Sequence, residues 1–440
     1  MTTVEPSPDT VPVSPHRPEA EQRVPAYAWL FVAALLSNVF AGTSGQLGLP
    51  IAPDRVLFAA CFAALLLRWR SLSFRPHAVH WCMLAFAAIT TVSFVLAPVS
   101  DSRSLYSLAD RVIMPFLLFA VAPLAIAHER SRLLFLRALT LLGFYLGVIA
   151  LGEAMELRWL VWPGYILDTR LADTTGEALR VSGPMLYAEG NGMVLGMCAV
   201  MAWLLIGHDR GLWRWVAVAT IPLALVGGLL SLTRSIWLGM ALATLLIAVG
   251  SRSTRKYVPY ALVAALVVGA VALIAVPDLA ASVLERGGTS RSLYDRVNTN
   301  DAAIRAIQTL PLTGVGWGVF LLNGTQWVRQ GDAMPLTNVD IEIHNVFLSR
   351  AAELGLPAAA LYVACLMLGP GRAILGKLPT PTMRGWRLAL AAIVVVWFVP
   401  AMFSPIPYPL PTNLMWSVAG IVWTAVVTGS ARPTAPPRRT

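Results

Sequence analysis

The chain has 440 residues, 57% of them hydrophobic and 13% charged, with a mean hydropathy of +0.67. Soluble globular domains run near 45–50% apolar and about 25% charged. A freely diffusing enzyme and a disordered scaffold are therefore excluded, and the composition implies one large domain whose solvent is the bilayer. The net charge of +10 comes almost wholly from arginine, since only Lys256 and Lys377 are lysines. Most of these arginines fall in short connections between apolar segments, where membrane topology and anionic lipid account for them. No basic stripe with interleaved aromatics occurs, so nucleic acid is not an expected partner.

Residues 1–24 are rich in Pro, Glu, Ser and Thr. They lack the basic start and apolar centre of a secretory signal, and read as a disordered tail. From 25 to 429 the sequence reads as a single transmembrane domain, followed by a second polar tail over 430–440. About twelve apolar runs lie between the tails, near 26–46, 54–68, 79–97, 112–127, 133–153, 185–206, 213–230, 235–250, 257–276, 344–368, 386–404 and 412–429. Most are long enough to cross about 30 Å of hydrocarbon as helices. They are continuously apolar, unlike the alternating ten-residue segments of barrel strands. The predicted fold is an all-α polytopic membrane protein. Cys61, Cys82, Cys198 and Cys365 all fall inside these runs without CxxC spacing or neighbouring His, so they read as small core residues and no metal site is expected.

Arginine placement sets the orientation. With the N-terminus in the cytoplasm, the inner loops hold Arg68, Arg70 and Arg75; Arg130 and Arg132; Arg210 and Arg214; Arg252, Arg255 and Lys256; and Arg372, Lys377, Arg384 and Arg387. The short outer loops hold only Arg55, Arg103, Arg111 and Arg234. Both tails are then cytoplasmic. The two long connections, 154–184 and 277–343, face outward and exceed what a mere connector needs. The second carries a helical stretch from Ser290 to Gln308 with Arg291, Arg296 and Arg305, then Pro311-Leu312-Thr313-Gly314-Val315-Gly316-Trp317-Gly318. Proline ends the helix, and the glycines permit a tight turn or a close backbone approach to a ligand.

Polar residues gather at the outward ends of the runs. Arg234, in Leu232-Thr233-Arg234-Ser235, has almost no loop around it. An arginine there is costly to desolvate unless it meets an anion, although a snorkelling interfacial residue would look the same. Arg180 precedes the helix starting near Met185, with Glu189 and Asn191 in its first turns; these are bundle glue or the lining of a cavity. His344 opens the tenth run. With an ordinary pKa near 6.5 it can take a proton from a hydroxyl at neutral pH, with Asp340 and Glu342 near enough in sequence to orient it. The plainer reading makes it part of a polar helix start capped by Asp340 or Asn338. Arg350 and Glu353, three residues apart, read as a buried ion pair.

These pieces resemble a known family. His344-Asn345-Val346-Phe347-Leu348 followed by Glu353-Leu354-Gly355-Leu356-Pro357 is similar to the His-Asn…Glu-x-Gly-Leu signature of the O-antigen ligase and polymerase superfamily. Pro311-Leu312-Thr313-Gly314-Val315-Gly316 resembles its Pro-Leu-x-Gly-x-Gly turn, and Arg296 its lid-helix arginine. Leu232-Thr233-Arg234-Ser235 resembles its short Thr-x-Ser-Arg segment. Arg180, Gly183 and Asn191 resemble an Arg…Gly…Pro-Asn element, from which this chain departs at Gly190, where the family usually has proline. The motifs span residues 180–357.

The resemblance implies a GT-C-like membrane glycosyltransferase of the bacterial inner membrane, multi-pass, with its active site facing the periplasm or cell exterior. Its donor would be a glycan on undecaprenyl diphosphate. Its acceptor would be a hydroxyl of a glycolipid such as lipid A core, or of another cell-surface polysaccharide, with inversion and without cofactor or metal. His344 would be the base, and Arg234 and Arg296 the diphosphate clamp, since guanidinium forks bind phosphate bidentately. Arg180, Asn191, Arg291, Arg305, Gly314, Gly316 and Asn345 would line the substrate site. A polymerase would share this chemistry with a different acceptor. A transporter is the rival from another class, but it would place its polar groups near the bilayer midplane in paired broken helices, and no internal repeat is visible.

Overall fold

The computed structural model describes residues 23–68, 70, 74–171, 180–251, 255–256, 270, 291–323, 326–329, 342–378, 380 and 383–430. The N-terminal tail and nearly all of the ninth apolar run, 257–276, lie outside these residues, as does the C-terminal tail. Among the described residues every regular element is helical. The reason is the solvent: hydrocarbon offers no hydrogen-bond partner, so a crossing segment must satisfy its backbone internally.

The helices are α1 (Ala26–Ser37), α2 (Pro53–Leu66), α3 (Ala78–Leu96), α4 (Ser102–Leu108), α5 (Met114–Ala125), α6 (Glu129–Ala154), α7 (Tyr165–Leu171), α8 (Ala188–Ile206), α9 (Leu212–Leu230) and α10 (Arg234–Gly250). They continue with α11 (Arg291–Thr309), α12 (Val319–Asn323), α13 (Val346–Leu366), α14 (Arg372–Leu375), α15 (Met383–Ala401) and α16 (Pro409–Ser430). Eight stretches among the described residues are long and apolar enough to cross a membrane, with shorter apolar helices at Ala26–Phe40 and Arg234–Gly250. Two of the eight are composite. One runs from Ser102 to Ala125 through a π-helical turn at Ala109–Ile113, and the other from Val346 to Leu375 through one at Met367–Gly371. In both α8 and α16, 83% of the spanning window is buried, so these two form the centre, with α6, α9, α15 and α5 packed around them. Cys61, Cys198 and Cys365 are buried in this core, while Cys82 is half-buried.

The bundle has two rims. On one, Arg137 pairs with Asp209 at 2.7 Å, joining α6 to the α8–α9 connection. On the other, the rim that arginine placement predicts to face outward, distant connections are stitched together. Asn38 donates to Asp54, Asn413 donates to Asn38, and Thr43 donates to the Pro184 carbonyl at 2.9 Å. The four arginines expected in short outer loops do not sit in loops. Arg55, Arg103 and Arg234 occupy the first turns of α2, α4 and α10, and Arg111 the π-helical turn. Helices begin earlier than the apolar runs because their first turns carry the polar residues that face the rim.

Candidate active site

The α9–α10 connection is as short as the sequence implies. Ser231, Leu232 and Thr233 are buried, and Leu232 adopts a left-handed φ of 48°. Arg234 then opens α10 exposed, with no ion-pair partner among the described residues. Beside it, Ser235 donates to one oxygen of Glu189 at 3.2 Å, and Ser404, just beyond α15, donates to the other. The Tyr408 hydroxyl lies close to the same carboxylate, outside hydrogen-bonding geometry. Burial pushes the Tyr408 phenol well above its ordinary range, and the Glu189 charge adds to the push. The Tyr408 ring rests on Gly190, where an added Cβ would stand 2.7 Å from it. That contact leaves no room for a side chain at position 190, where the resemblance leads one to expect proline.

His344 is half-buried and lies two residues before the helix it was expected to open. The cap is neither Asp340 nor Asn338, both of which lie outside the described residues. It is Asn345, whose Oδ1 accepts from the Phe347 and Leu348 amides at 2.9 and 3.0 Å, satisfying two of the free amides of a helix start. Its amide nitrogen reaches the Met402 carbonyl at 3.3 Å. The Met402–Ser404 segment therefore touches both the His344 segment and Glu189, which in turn holds Ser235 beside Arg234. These bonds tie the ends of α8, α10, α13 and α15 to one another.

Glu342 takes a different partner from the one expected. Both of its oxygens accept from Arg111, at 2.7 and 2.8 Å. His344 also lies close enough for its charge to act on the Glu342 carboxylate. Burial alone would raise the Glu342 carboxyl, but the Arg111 fork outweighs it, so its pKa lies below the usual carboxylate range. Arg111 was not singled out in the sequence because it falls one residue before an apolar run. The signal that could have found it is Asp101, which caps α4 through the Ser104 amide at 2.8 Å and so begins the span well ahead of Arg111.

The Arg350–Glu353 pair is present and buried, at 3.7 Å, with the Arg350 guanidinium 4.6 Å over the Trp317 ring. Around it the two glycine-bearing signatures interlock. At Gly355, φ is +83° and α13 breaks. The carbonyls of Ala352 and Glu353 accept from the Val315 and Gly316 amides, both at 2.9 Å, and the Leu356 amide donates to Pro311 at 2.7 Å. Gly314 lies directly on the Glu353 backbone and Gly355 on Leu312. The Gly-Trp-Gly segment is fixed too: Gly318 donates to Glu353 at 3.1 Å and Trp317 to the Ser104 carbonyl at 3.1 Å. Close approach to the Glu353 backbone accounts for Gly314, and a φ of +107° for Gly316, without a ligand.

The lid helix α11 docks through Ala302, Ala303 and Ala306 against Ala352 and Phe320. Arg296 shares that face, three and seven residues before the buried Thr299 and Ala303, and its buried Nε has no hydrogen-bond partner. Arg305 follows nine residues later, which places it about 180° round the helix at roughly 100° per residue. Its Nε donates to the Trp327 carbonyl at 2.9 Å, so it does not join the Arg296 side. The Arg291 side chain lies outside the described residues. Arg180 is half-buried, and the next residue, Val181, donates to the Leu230 carbonyl at 3.2 Å, holding Arg180 near the Arg234 turn. Asn191 is fully buried against Gly183, and neither of its amide atoms has a hydrogen-bond partner. Among the described residues no three His, Cys, Asp or Glu side chains gather as metal ligands.

Among the described residues the protein is a polytopic, all-helical membrane protein with hydrogen-bonded polar side chains at one rim and α11 docked on α13. Residues 219–363 match the profile of a family described as O-antigen ligase. That stretch, about a third of the chain, contains Arg234, Arg296, the glycine turn, His344 and the Gly355 break, so over these residues the chain is similar to that family. No curated protein matches the chain.

Proposed function

We propose that the protein transfers a glycan from undecaprenyl diphosphate to an acceptor hydroxyl at the outer rim of a bacterial inner membrane. The carrying observation is the chain of contacts from Asn345 through Met402–Ser404 and Glu189 to Ser235. It draws the family's histidine and arginine motifs toward one rim. In this reading the acceptor oxygen attacks the anomeric carbon from the face opposite the diphosphate, so the configuration inverts. His344 takes the acceptor proton. The glycosidic C–O bond breaks, and its electron pair leaves with undecaprenyl diphosphate. The exposed, unpartnered Arg234 and the Arg296 face of α11 stabilise that charge as it develops, with Arg180 close by. Asn345 supports His344 by capping α13, and Gly314 and Gly316 hold the lid rather than touch substrate.

The test is transfer by the purified chain in nanodiscs, supplied with an undecaprenyl-diphosphate glycan. One acceptor is lipid A core and another is a second lipid-linked glycan. Transfer to the first makes the protein a ligase and to the second a polymerase. Donor binding without transfer to any hydroxyl acceptor, alongside donor movement across the bilayer, would replace the transferase reading with a transporter.

A further inference from the structure

A second polar feature lies on the other side of the lid helix. Arg305, Gln308 and Thr309, spaced i, i+3 and i+4 on α11, face Gln326, Trp327 and Arg329 across an open cleft of about 290 Å³. That is near the lower end of the ~300–1,000 Å³ typical of small-molecule sites. Among the described residues no carboxylate lines it. The Arg305 guanidinium is held by its bond to the Trp327 carbonyl, which leaves its buried Nη2 with protons and no partner. A buried guanidinium donor without an acceptor is costly, and a second guanidinium, Arg329, shares the cleft with no opposing charge among the described lining residues. Both facts call for an anion. The remaining lining calls for more than a bare ion: glutamine and threonine side chains match hydroxyl groups as donors and acceptors, and tryptophan offers an apolar ring face.

We propose that this cleft is a binding subsite for an acidic saccharide, the carboxylate of a uronic acid meeting Arg305 and Arg329 while its hydroxyls meet Gln308 and Gln326. It is distinct from the diphosphate clamp. Arg305 stands about 13 Å along α11 from Arg296, at roughly 1.5 Å per residue, and on the opposite side, so no single phosphate group touches both. The inference rests on the transfer reading only for the origin of the glycan, which would be an acidic polymer passing over the lid; the binding itself needs no turnover.

The experiment measures equilibrium binding of tetragalacturonate to the full chain in nanodiscs, with maltotetraose as the neutral counterpart and inorganic phosphate as the bare anion. Arg329→Gln, an exposed position, should weaken tetragalacturonate binding about tenfold or more, as loss of a charge-assisted contact of ~1.5–3 kcal/mol implies. Arg305→Gln should weaken it further. Inorganic pyrophosphate, which probes the Arg234 and Arg296 side, should bind equally to wild type and both variants. Unchanged tetragalacturonate binding in Arg329→Gln and Arg305→Gln overturns the proposal. So does maltotetraose or inorganic phosphate binding as tightly as tetragalacturonate. Selective loss in Arg329→Gln upholds the subsite even if Arg234→Ala keeps full transfer activity, a result that would overturn the clamp alone.

Discussion

Arg111 and Glu342, 231 positions apart, are joined by two parallel hydrogen bonds that fix the approach of the chain to His344. The pair links the π-helical turn of one span to the residue two positions before the histidine. Its side chains keep 15% and 26% of their exposure, so removing one partner should cost about 3 kcal/mol, the low end for buried pairs. Arg111→Ala should therefore unfold at lower temperature in detergent and lose transfer, whereas Arg111→Lys should recover stability more than activity, because one ammonium cannot grip both oxygens.

The same pair gives a pH dependence. The folded pKa of Glu342 lies below its ordinary value, so its stabilisation is complete above the unfolded carboxyl's value near 4.3 and is lost as pH falls through the folded value. Wild type should lose stability below about pH 4, and Glu342→Gln should show a shallower loss over that acid range. Thermal unfolding as a function of pH measures it; parallel curves for the two proteins would remove Glu342 from the acid response.

Asn345 separates capping from ligand contact. Replacing an N-cap with alanine costs about 0.5–2 kcal/mol. Asn345→Ala should lose that stability, and Asn345→Ser should restore most of it because a hydroxyl can also accept the Phe347 and Leu348 amides. If Asn345→Ser is stable yet inactive with weakened donor binding, the amide itself touches substrate.

Arg234 and His344 differ in the step they serve. Arg234→Ala should nearly abolish donor binding and transfer. Arg234→Lys should lower both markedly, since charge is retained but the planar fork is lost. His344→Gln should keep donor binding and lose roughly 10²- to 10⁴-fold in transfer, the usual contribution of a positioned base. Near-normal transfer in His344→Gln, at equal expression, would move the search for a base to Glu189.

Topology is checked with single cysteines read by a membrane-impermeant thiol reagent on intact cells. Gln46 and Arg158 are exposed on the rim that carries the lid, and Arg210 on the other. Cysteines at Gln46 and Arg158 should label and one at Arg210 should not, while the native cysteines, all buried or half-buried within helices, stay unlabelled. The reverse pattern would turn the site toward the cytoplasm.

The sequence alone determined that this is a helical membrane protein, because long apolar runs in hydrocarbon have no other way to satisfy their backbone. It also determined the lid helix over residues close to Arg291–Thr309 and the Arg350–Glu353 pair, because both rest on neighbours one turn apart. The family motifs were legible for the same reason, each being a short local string. Tertiary structure alone decided what the strings do to one another. Glu342 turned to Arg111 rather than chiefly to His344. The glycines of residues 314–316 closed on the broken helix at Gly355, and Arg305 was set on the side of α11 away from Arg296. These relations join positions far apart in sequence through single hydrogen bonds and backbone approaches, and neither hydropathy nor spacing carries information about which distant carbonyl or carboxylate a donor will meet.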